Sequence, residues 1–179
     1  MSEIIKLGKD IEKANVAALN RAAKSALSAV STFIRDKYNI NKAVLDENYK
    51  IIAKATADST YVTVLIKSKP LSLKVFKPAQ VGKIGRPKKG RKPSGKGGVK
   101  VTQVKGKREL IRSAFLWRGH VFIREGEERL PIKQLFGPNP KSLFYPKDEP
   151  RLPMKVLEDR FYEQYEIRLQ HELQRRLGS

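Results

Sequence analysis

The sequence predicts an α+β domain: an antiparallel sheet of hairpins packed by a long Ala-rich N-terminal helix, with a Pro-rich arm and a long C-terminal helix. Three observations support this. Apolar residues recur at three- and four-residue steps at both ends of the chain, β-branched and aromatic runs lie between turn residues in the middle, and six prolines fall within residues 130–153. The 179 residues suffice to bury a core, so we expect a single domain over residues 1–179.

The N-terminal part predicts a long helix followed by a hairpin. The helix is expected over residues 10–37, where no Pro or Gly interrupts the apolar spacing and many apolar residues are alanines, which allow another backbone to approach closely. A short helix capped by Asn41 should follow. Alternation from Ile51 to Ala55 and the β-branched run 61–66, separated by turn residues, predict the hairpin.

A basic, Gly- and Pro-rich segment occupies residues 82–108 and holds eleven Lys and Arg with no Asp or Glu. Alternating apolar residues at 71–75 and 99–101 predict two strands joined through a long excursion, with residues 83–98 as a flexible hairpin tip. Binding through this tip should weaken with salt. Its candidate contacts for a polyanion or a partner protein are Lys83, Arg86, Lys88, Lys89, Arg91, Lys92 and Lys96.

Short motif matches within this tip do not support a specific site. Residues 90–96 have the spacing of a phosphate-binding loop, but Gly97 replaces the Ser or Thr that would hold magnesium, and a predicted strand follows instead of a helix. Residues 85–87 match the core of an AT-hook, but Ile84 stands where a basic residue is usual. The tip therefore predicts a charge-driven contact with either nucleic acid or an acidic protein surface.

The C-terminal part predicts a hairpin, an arm and a helix. Arg118-Gly119 should form a two-residue turn between strands at 115–117 and 120–123. Prolines should exclude regular helix from the arm, residues 130–153, so its apolar side chains must be buried by the domain or by another subunit. A helix is expected over residues 154–177. The candidate intersubunit contacts of the arm are Ile132, Leu135, Phe136, Phe144 and Tyr145.

The composition does not favour an enzyme. The chain contains no Cys, which excludes disulfides, thiolate metal sites and a Cys nucleophile. His120, His171 and the paired carboxylates at 127–128 and 148–149 lack neighbours at catalytic or metal-site spacing, so we expect no catalytic residue, metal or cofactor. No apolar run reaches the length of a signal peptide or membrane span, which predicts an intracellular protein without membrane contact.

Four features together resemble the minor tail protein Z family of tailed bacteriophages. They are the Ala-rich helix with Ala-Leu-Asn-Arg-Ala at 18–22, the basic centre, the segment LPIKQLFGP at 130–138, and a last helix rich in Leu, Gln and Arg. The resemblance covers nearly the whole chain, and LPIKQLFGP is its most specific part. It implies a structural virion protein, without catalysis, that completes the tail at its head-proximal end and assembles in the host cytoplasm.

The resemblance also implies partners. These are other tail and neck proteins, further copies of the chain in a ring that is frequently hexameric in such proteins, and DNA in the channel that the basic tips would surround. A second class stays open from the sequence: a basic DNA-binding or ribosome-associated protein that uses residues 83–108 as a finger. Against an RNA-binding platform, Phe115, Trp117 and Phe122 are expected in the core.

Overall fold

A computed structural model describes residues 2–82, 97–126 and 128–178. These residues form long helices near both ends and three small antiparallel sheets between them, which confirms the predicted α+β class. The chain divides into two compact units. We call residues 1–34, 45–67 and 141–179 the helical unit, and residues 35–44 and 68–140 the β unit.

The first element of the helical unit is helix α1 (Ser2–Lys37). Its alanines provide the predicted core-facing side, since Ala14, Ala18 and Ala22 are fully buried. The helix begins eight residues before the expected start at residue 10, although Gly8 lies in the added turns. Gly costs a helix interior only about 1 kcal/mol relative to Ala, which the surrounding helix-forming residues offset.

A hairpin packs on α1, as the sequence predicts. Helix α2 (Lys42–Asn48) leads into strand β1 (Tyr49–Ala53), which pairs antiparallel with β2 (Thr63–Ile66). Asn20 of α1 fixes the hairpin through two hydrogen bonds: its Nδ2 donates to the Ala55 carbonyl at 3.0 Å, and its Oδ1 accepts from the Ala55 N–H at 2.9 Å. The small side chains of α1 permit this approach to backbone.

Two helices complete the helical unit, α3 (Pro140–Phe144) and α4 (Leu152–Leu177). The prediction that prolines exclude regular helix from residues 130–153 was wrong, because Pro140 begins α3 and Pro153 lies in the first turn of α4. Proline is tolerated at a helix start, where its missing N–H would have no intrahelical acceptor. Helix α4 confirms the expected C-terminal helix to within two residues at its start.

In the longer segment of the β unit, residues 68–140, the first element is a 3₁₀ helix (Leu73–Phe76), where the sequence predicted a strand at 71–75. This prediction was wrong because the buried residues are Leu73 and Phe76, three apart, which is the period of a 3₁₀ helix. The Ser72 hydroxyl caps the turn by accepting a hydrogen bond from the Lys74 N–H. The strand that enters the basic segment lies further along the chain.

Two three-stranded sheets form the rest of the β unit. The first contains β3 (Ala79–Val81), β4 (Gly98–Val101) and β5 (Glu109–Arg112), with β4 in the centre. The second contains β6 (Phe115–Trp117), β7 (His120–Arg124) and β8 (Ile132–Gln134), with β7 in the centre. Arg118 and Gly119 have φ of 50° and 79°, so the predicted two-residue turn between β6 and β7 is confirmed.

The two sheets of the β unit share a buried layer. Gln80 of β3 connects them, because its Nε2 donates to the Gly98 carbonyl and its Oε1 accepts from the Leu116 N–H, each at 3.0 Å. Val99 and Val101 of β4 are fully buried on the same face of the first sheet as Gln80. The opposite face of this sheet is therefore its outer face.

Candidate functional site

The seven cations predicted as contacts at residues 83–96 lie outside the described residues. The strands on either side are described, and Val81 pairs with Gly98, so the segment joins adjacent strands of one hairpin. The predicted tip extends too far toward the C-terminus, because Gly98 already belongs to β4. A Cβ on Gly98 would collide with the Ile111 carbonyl oxygen, so glycine here serves the close approach of two strands.

Three of the predicted arm contacts lie in the β unit. Ile132 pairs with Arg124 across β7 and β8, and the Leu135 N–H donates to the Val121 carbonyl at 2.8 Å. Phe136 forms an isolated bridge with Ser72, and 51% of its surface is exposed. This part of the arm is thus hydrogen-bonded to the β unit, while the Phe136 ring is left accessible.

The other two predicted contacts, Phe144 and Tyr145, lie in the helical unit. Phe144 is buried, and its ring meets Tyr49 edge to face with centroids 6.0 Å apart. Tyr145 packs against Phe144 at 4.9 Å but keeps 41% of its surface exposed. The structure therefore does not gather the five arm residues into one patch within either unit, and it leaves Phe136 and Tyr145 as the exposed aromatic rings among them.

The two units differ sharply in charge. The helical unit carries 16 Lys and Arg against 13 Asp and Glu, a formal net charge of +3. The β unit carries 22 against 5, a formal net charge of +17. Seven of these 22 cations lie at residues 83–96, so 15 belong to described residues of the β unit. The positive potential is thus a property of the whole β unit and not of its tip alone.

An ion-pair cluster in the helical unit was not predicted. Glu172 of α4 is completely buried and accepts from Arg21 of α1 at 2.7 Å and from Arg175 at 2.6 Å, while Arg176 lies 3.5 Å away. Burial alone would raise the pKa of the Glu172 carboxyl, but the Arg175 hydrogen bond and the charges of the three guanidinium groups hold that pKa below its ordinary value. The spacing of Glu172 and Arg175 is visible in the sequence, whereas the contact with Arg21 is not.

His120 of β7 is hydrogen-bonded to two neighbouring side chains. Its Nδ1 lies 3.0 Å from both the Ser72 hydroxyl and the Gln134 side-chain nitrogen. Because the Gln134 amide can only donate there, Nδ1 is an acceptor. The contact ties β7 and β8 to the cap of the 3₁₀ helix.

The exposed apolar surface of the helical unit includes two regions near α1. The first is the start of α1, where exposed side chains contact nothing that would bury them: Ile4, Ile5, Leu7 and Ile11. The second is an open groove of about 360 Å³ whose lining includes Ala23 and Ala26 of α1, Tyr61 before β2, and Leu157 and Phe161 of α4. Both are suited to apolar contacts with another protein chain.

Within residues 2–82, 97–126 and 128–178, no group of His, Cys, Asp or Glu has the arrangement of a metal site. No helix among the same residues is long and apolar enough to cross a membrane.

The chain was also compared with known proteins. The family model for prophage minor tail protein Z matches residues 2–178. No curated protein and no solved structure matches the chain. The family match covers both units and the basic segment between β3 and β4.

Proposed function

Because the chain belongs to the prophage minor tail protein Z family, a family of structural tail proteins, we propose that it completes the phage tail at the end that joins the head. In this role the chain forms a ring of copies, and the β unit of each copy faces the DNA that passes through. The helical unit provides contacts between copies or with neighbouring tail proteins. The role requires no catalysis.

The observation that carries the DNA-facing part of this proposal is the uneven charge. The β unit carries a net charge of +17 and the helical unit only +3. Most of the net positive charge of the protein therefore belongs to one unit. Copies arranged in a ring would add their potentials around the central passage. DNA is the polyanion that a phage must move through the tail.

Exposed apolar surface supports the ring. The start of α1, the groove beside α4 and the ring of Phe136 are three surfaces that a lone chain leaves in water. The first two are different patches, so contact between them would be heterologous, which is the contact type that generates closed rings. Two such contacts per copy would hold each chain between two neighbours.

Labelling of isolated tails tests the location. A peptide tag added after residue 179 can be marked with gold and viewed by electron microscopy on tails from a phage whose own copy of the gene is deleted. We expect label at the tail end that meets the head. Label at the distal tip or along the tube would contradict the proposal, and an untagged protein serves as the control.

Assembly of the ring is tested with one arm variant. Phe136→Asp should leave a folded, soluble subunit that no longer joins its assembly, as measured by native mass spectrometry and by incorporation into tails. Lys133→Asp, which changes an exposed residue of β8 in the same segment, is the matched control. If Phe136→Asp assembles normally, the Phe136 ring does not take part in the intersubunit contact. If the variant is insoluble, the ring belongs to the core.

The alternative is a basic nucleic-acid-binding protein that works outside the virion. It rests on the same +17 of the β unit. A tagged pull-down from infected cells, with and without nuclease, separates the two. Tail and neck proteins that survive nuclease treatment support the tail role, whereas ribosomal proteins, or loss of all partners after nuclease, support the alternative.

A further inference from the structure

We propose that the outer face of the first sheet and the β4–β5 turn form a binding surface for the phosphate backbone of duplex DNA, separate from residues 83–96. We call this surface the basic strip. It deepens the proposed function, on whose DNA contact it rests. Its members are Lys100, Lys105, Lys107, Arg108 and Arg112.

Strand register places two of these cations on one exposed face. Lys100 is exposed between the buried Val99 and Val101, so it points away from the layer shared with the second sheet. Lys100 pairs with Leu110, and Arg112 follows Leu110 by two residues, so Lys100 and Arg112 lie on the same face. Glu109, the one carboxylate in these three strands, pairs with Val101 and belongs to the opposite face.

The turn between β4 and β5 contributes the other three cations. Lys105, Lys107 and Arg108 are all exposed, and Gly106 has φ of 79°. The turn is held in place because the Lys105 N–H donates to the Lys37 carbonyl at 3.0 Å and the Asn39 N–H donates to the Gln103 carbonyl at 2.9 Å. These cations therefore project from an anchored turn and not from a free loop.

The β4–β5 turn and the basic tip lie at opposite ends of the sheet, and the face cations Lys100 and Arg112 lie between them. Residues 83–96 leave from the end where Val81, Gly98 and Arg112 are paired, whereas the β4–β5 turn closes the other end, at Val101 and Glu109. Four strand residues span about 13 Å, which matches the rise of about four base pairs along a duplex. A backbone lying along β4 could thus meet the face and the turn together.

The charges of the strip are not neutralised within the protein. Among the described residues, none of its five side chains forms an ion pair with a carboxylate. In the helical unit, by contrast, Arg21, Arg160 and Arg175 each contact a Glu within 2.7 Å. Exposed cations without internal partners can each exchange counterions for a phosphate.

The chemistry of the outer face favours a phosphate backbone over the other polyanions. Single-stranded nucleic acid is usually held by aromatic stacking, and a protein partner by an apolar anchor in a pocket. The described outer face offers neither, since Leu110 is its large apolar side chain and is flanked by Lys100 and Arg112. Exposed Lys and Arg side chains without an aromatic platform or an apolar pocket are suited to contact with the phosphates of a duplex backbone.

The test measures binding of the full chain to fluorescent duplex DNA by anisotropy, between about 50 and 200 mM salt. One variant replaces the turn cations (Lys105→Glu, Lys107→Glu, Arg108→Glu), and another the face cations (Lys100→Glu, Arg112→Glu). A third removes residues 83–96, which leaves Gly82 and Gly97 as a two-residue turn between the paired Val81 and Gly98. A control reverses three exposed lysines of the helical unit (Lys50→Glu, Lys54→Glu, Lys147→Glu).

We expect the turn variant to bind at least about tenfold more weakly, with a salt slope reduced by up to ~2.7, because each lost phosphate contact removes ~0.9 from the slope. The face variant should lose less, in proportion to its two cations. The variant without residues 83–96 should still bind DNA, and adding the turn substitutions to it should abolish the remainder. The helical-unit control should bind as the parent does.

Three results would overturn the proposal. If the turn and face variants bind like the helical-unit control, the strip does not contact DNA, while the contact of the β unit with DNA in the proposed function is not affected. If removal of residues 83–96 abolishes all binding, the strip is not a separate surface. If the parent chain does not bind duplex DNA, both the strip and the DNA contact fail, but the location of the protein in the tail is decided by the gold label alone.

Discussion

The helical unit and the β unit of this protein use positive charge in opposite ways. The helical unit contains 16 Lys and Arg and 13 Asp and Glu, and three of its arginines form ion pairs with the buried Glu172. In the β unit 22 cations face 5 carboxylates, and the cations of the basic strip have no carboxylate partner among the described residues. Charge in the first unit serves the fold, and charge in the second is available to a partner.

The difference also shows in what holds each unit together. The helical unit depends on helix faces and aromatic contacts such as Phe144 with Tyr49. The β unit also has aromatic pairs, such as Trp117 with Phe122, but it depends in addition on short paired strands and on close approaches at glycines: Gly98 to the Ile111 backbone and Gly137 to the Phe76 ring. The chain's one tryptophan, Trp117, lies in β6 with half of its surface exposed, so the prediction that it belongs to the core was wrong. Its fluorescence reports unfolding of the β unit, whereas the far-UV helix signal reports mainly the helical unit.

The largest effect is expected from truncating the aromatic core of the helical unit. Phe144→Ala should lower the free energy of unfolding by about 3–5 kcal/mol, the usual cost of removing a buried phenyl ring. Denaturant titration followed by the helix signal measures it. Phe136→Ala is the matched control in the same arm, and because its ring is half exposed it should cost less than about 1 kcal/mol. Equal losses would mean that both rings are core residues.

The ion-pair cluster gives the next effect and a pH dependence. Glu172→Gln should destabilise the protein by about 2–4 kcal/mol, less than for fully enclosed pairs because Arg21 and Arg175 reach solvent. The folded-state pKa of Glu172 is lowered, so its contribution is complete above the unfolded-state pKa of about 4.3 and is lost as pH falls through the lower folded value.

Acid unfolding measures this contribution. The parent should lose stability below about pH 4.3. Glu172→Gln should lose less over the same range, since that titration is gone. Glu166→Gln, an exposed residue of the same helix, should follow the parent. If Glu172→Gln and Glu166→Gln have the same stability and the same acid profile, the cluster contributes nothing to the fold.

The next effect is expected at Gly137 of the arm, which packs closely against the Phe76 ring of the β unit. The Gly137 N–H donates to the Leu71 carbonyl at 2.7 Å, and Gly137 lies so near the buried Phe76 ring that an added Cβ would be 2.6 Å from Cε2. Gly137→Ala should therefore cost about 1–3 kcal/mol by overpacking. Trp117 fluorescence during denaturation reports the loss. Gly126→Ala, which meets nothing within 4 Å, should be neutral, and equal losses at the two glycines would refute overpacking.

The sequence predicts those parts of the molecule that local pattern determines. The last helix and the Arg118-Gly119 turn follow from spacing and turn chemistry within two residues, and the first helix follows from residue 10 onward but not over its first eight residues. The strand predicted at 71–75 failed because Leu71 and Leu73 imitate a period of two, while tertiary burial of Phe76 selects the 3₁₀ helix. Local pattern cannot distinguish a strand from a 3₁₀ helix at these residues, since the outcome depends on which side chains the rest of the protein buries.

The candidate surfaces show the same limit. The excess of cations in residues 82–108 is plain in the sequence, but their division between a tip and a strip depends on the register that pairs Lys100 with Leu110. The partners Arg21 and Glu172 are 151 residues apart, and no spacing rule connects them. The arm was recognised from its prolines, yet its split between two units follows from which strands and helices its ends join.

The smallest effect should be an opposite response of the two units to salt. Screening weakens the attraction within the Glu172 cluster but also relieves repulsion among the cations of the β unit. Raising salt should therefore stabilise β4 and β5 by a few tenths of a kcal/mol and slightly destabilise α4, as measured by hydrogen exchange of their amides. The strip variants, with fewer like charges, should show a smaller gain in β4 and β5. A salt response of the same sign and size in both units would mean that their different charge balance does not affect how they are held together.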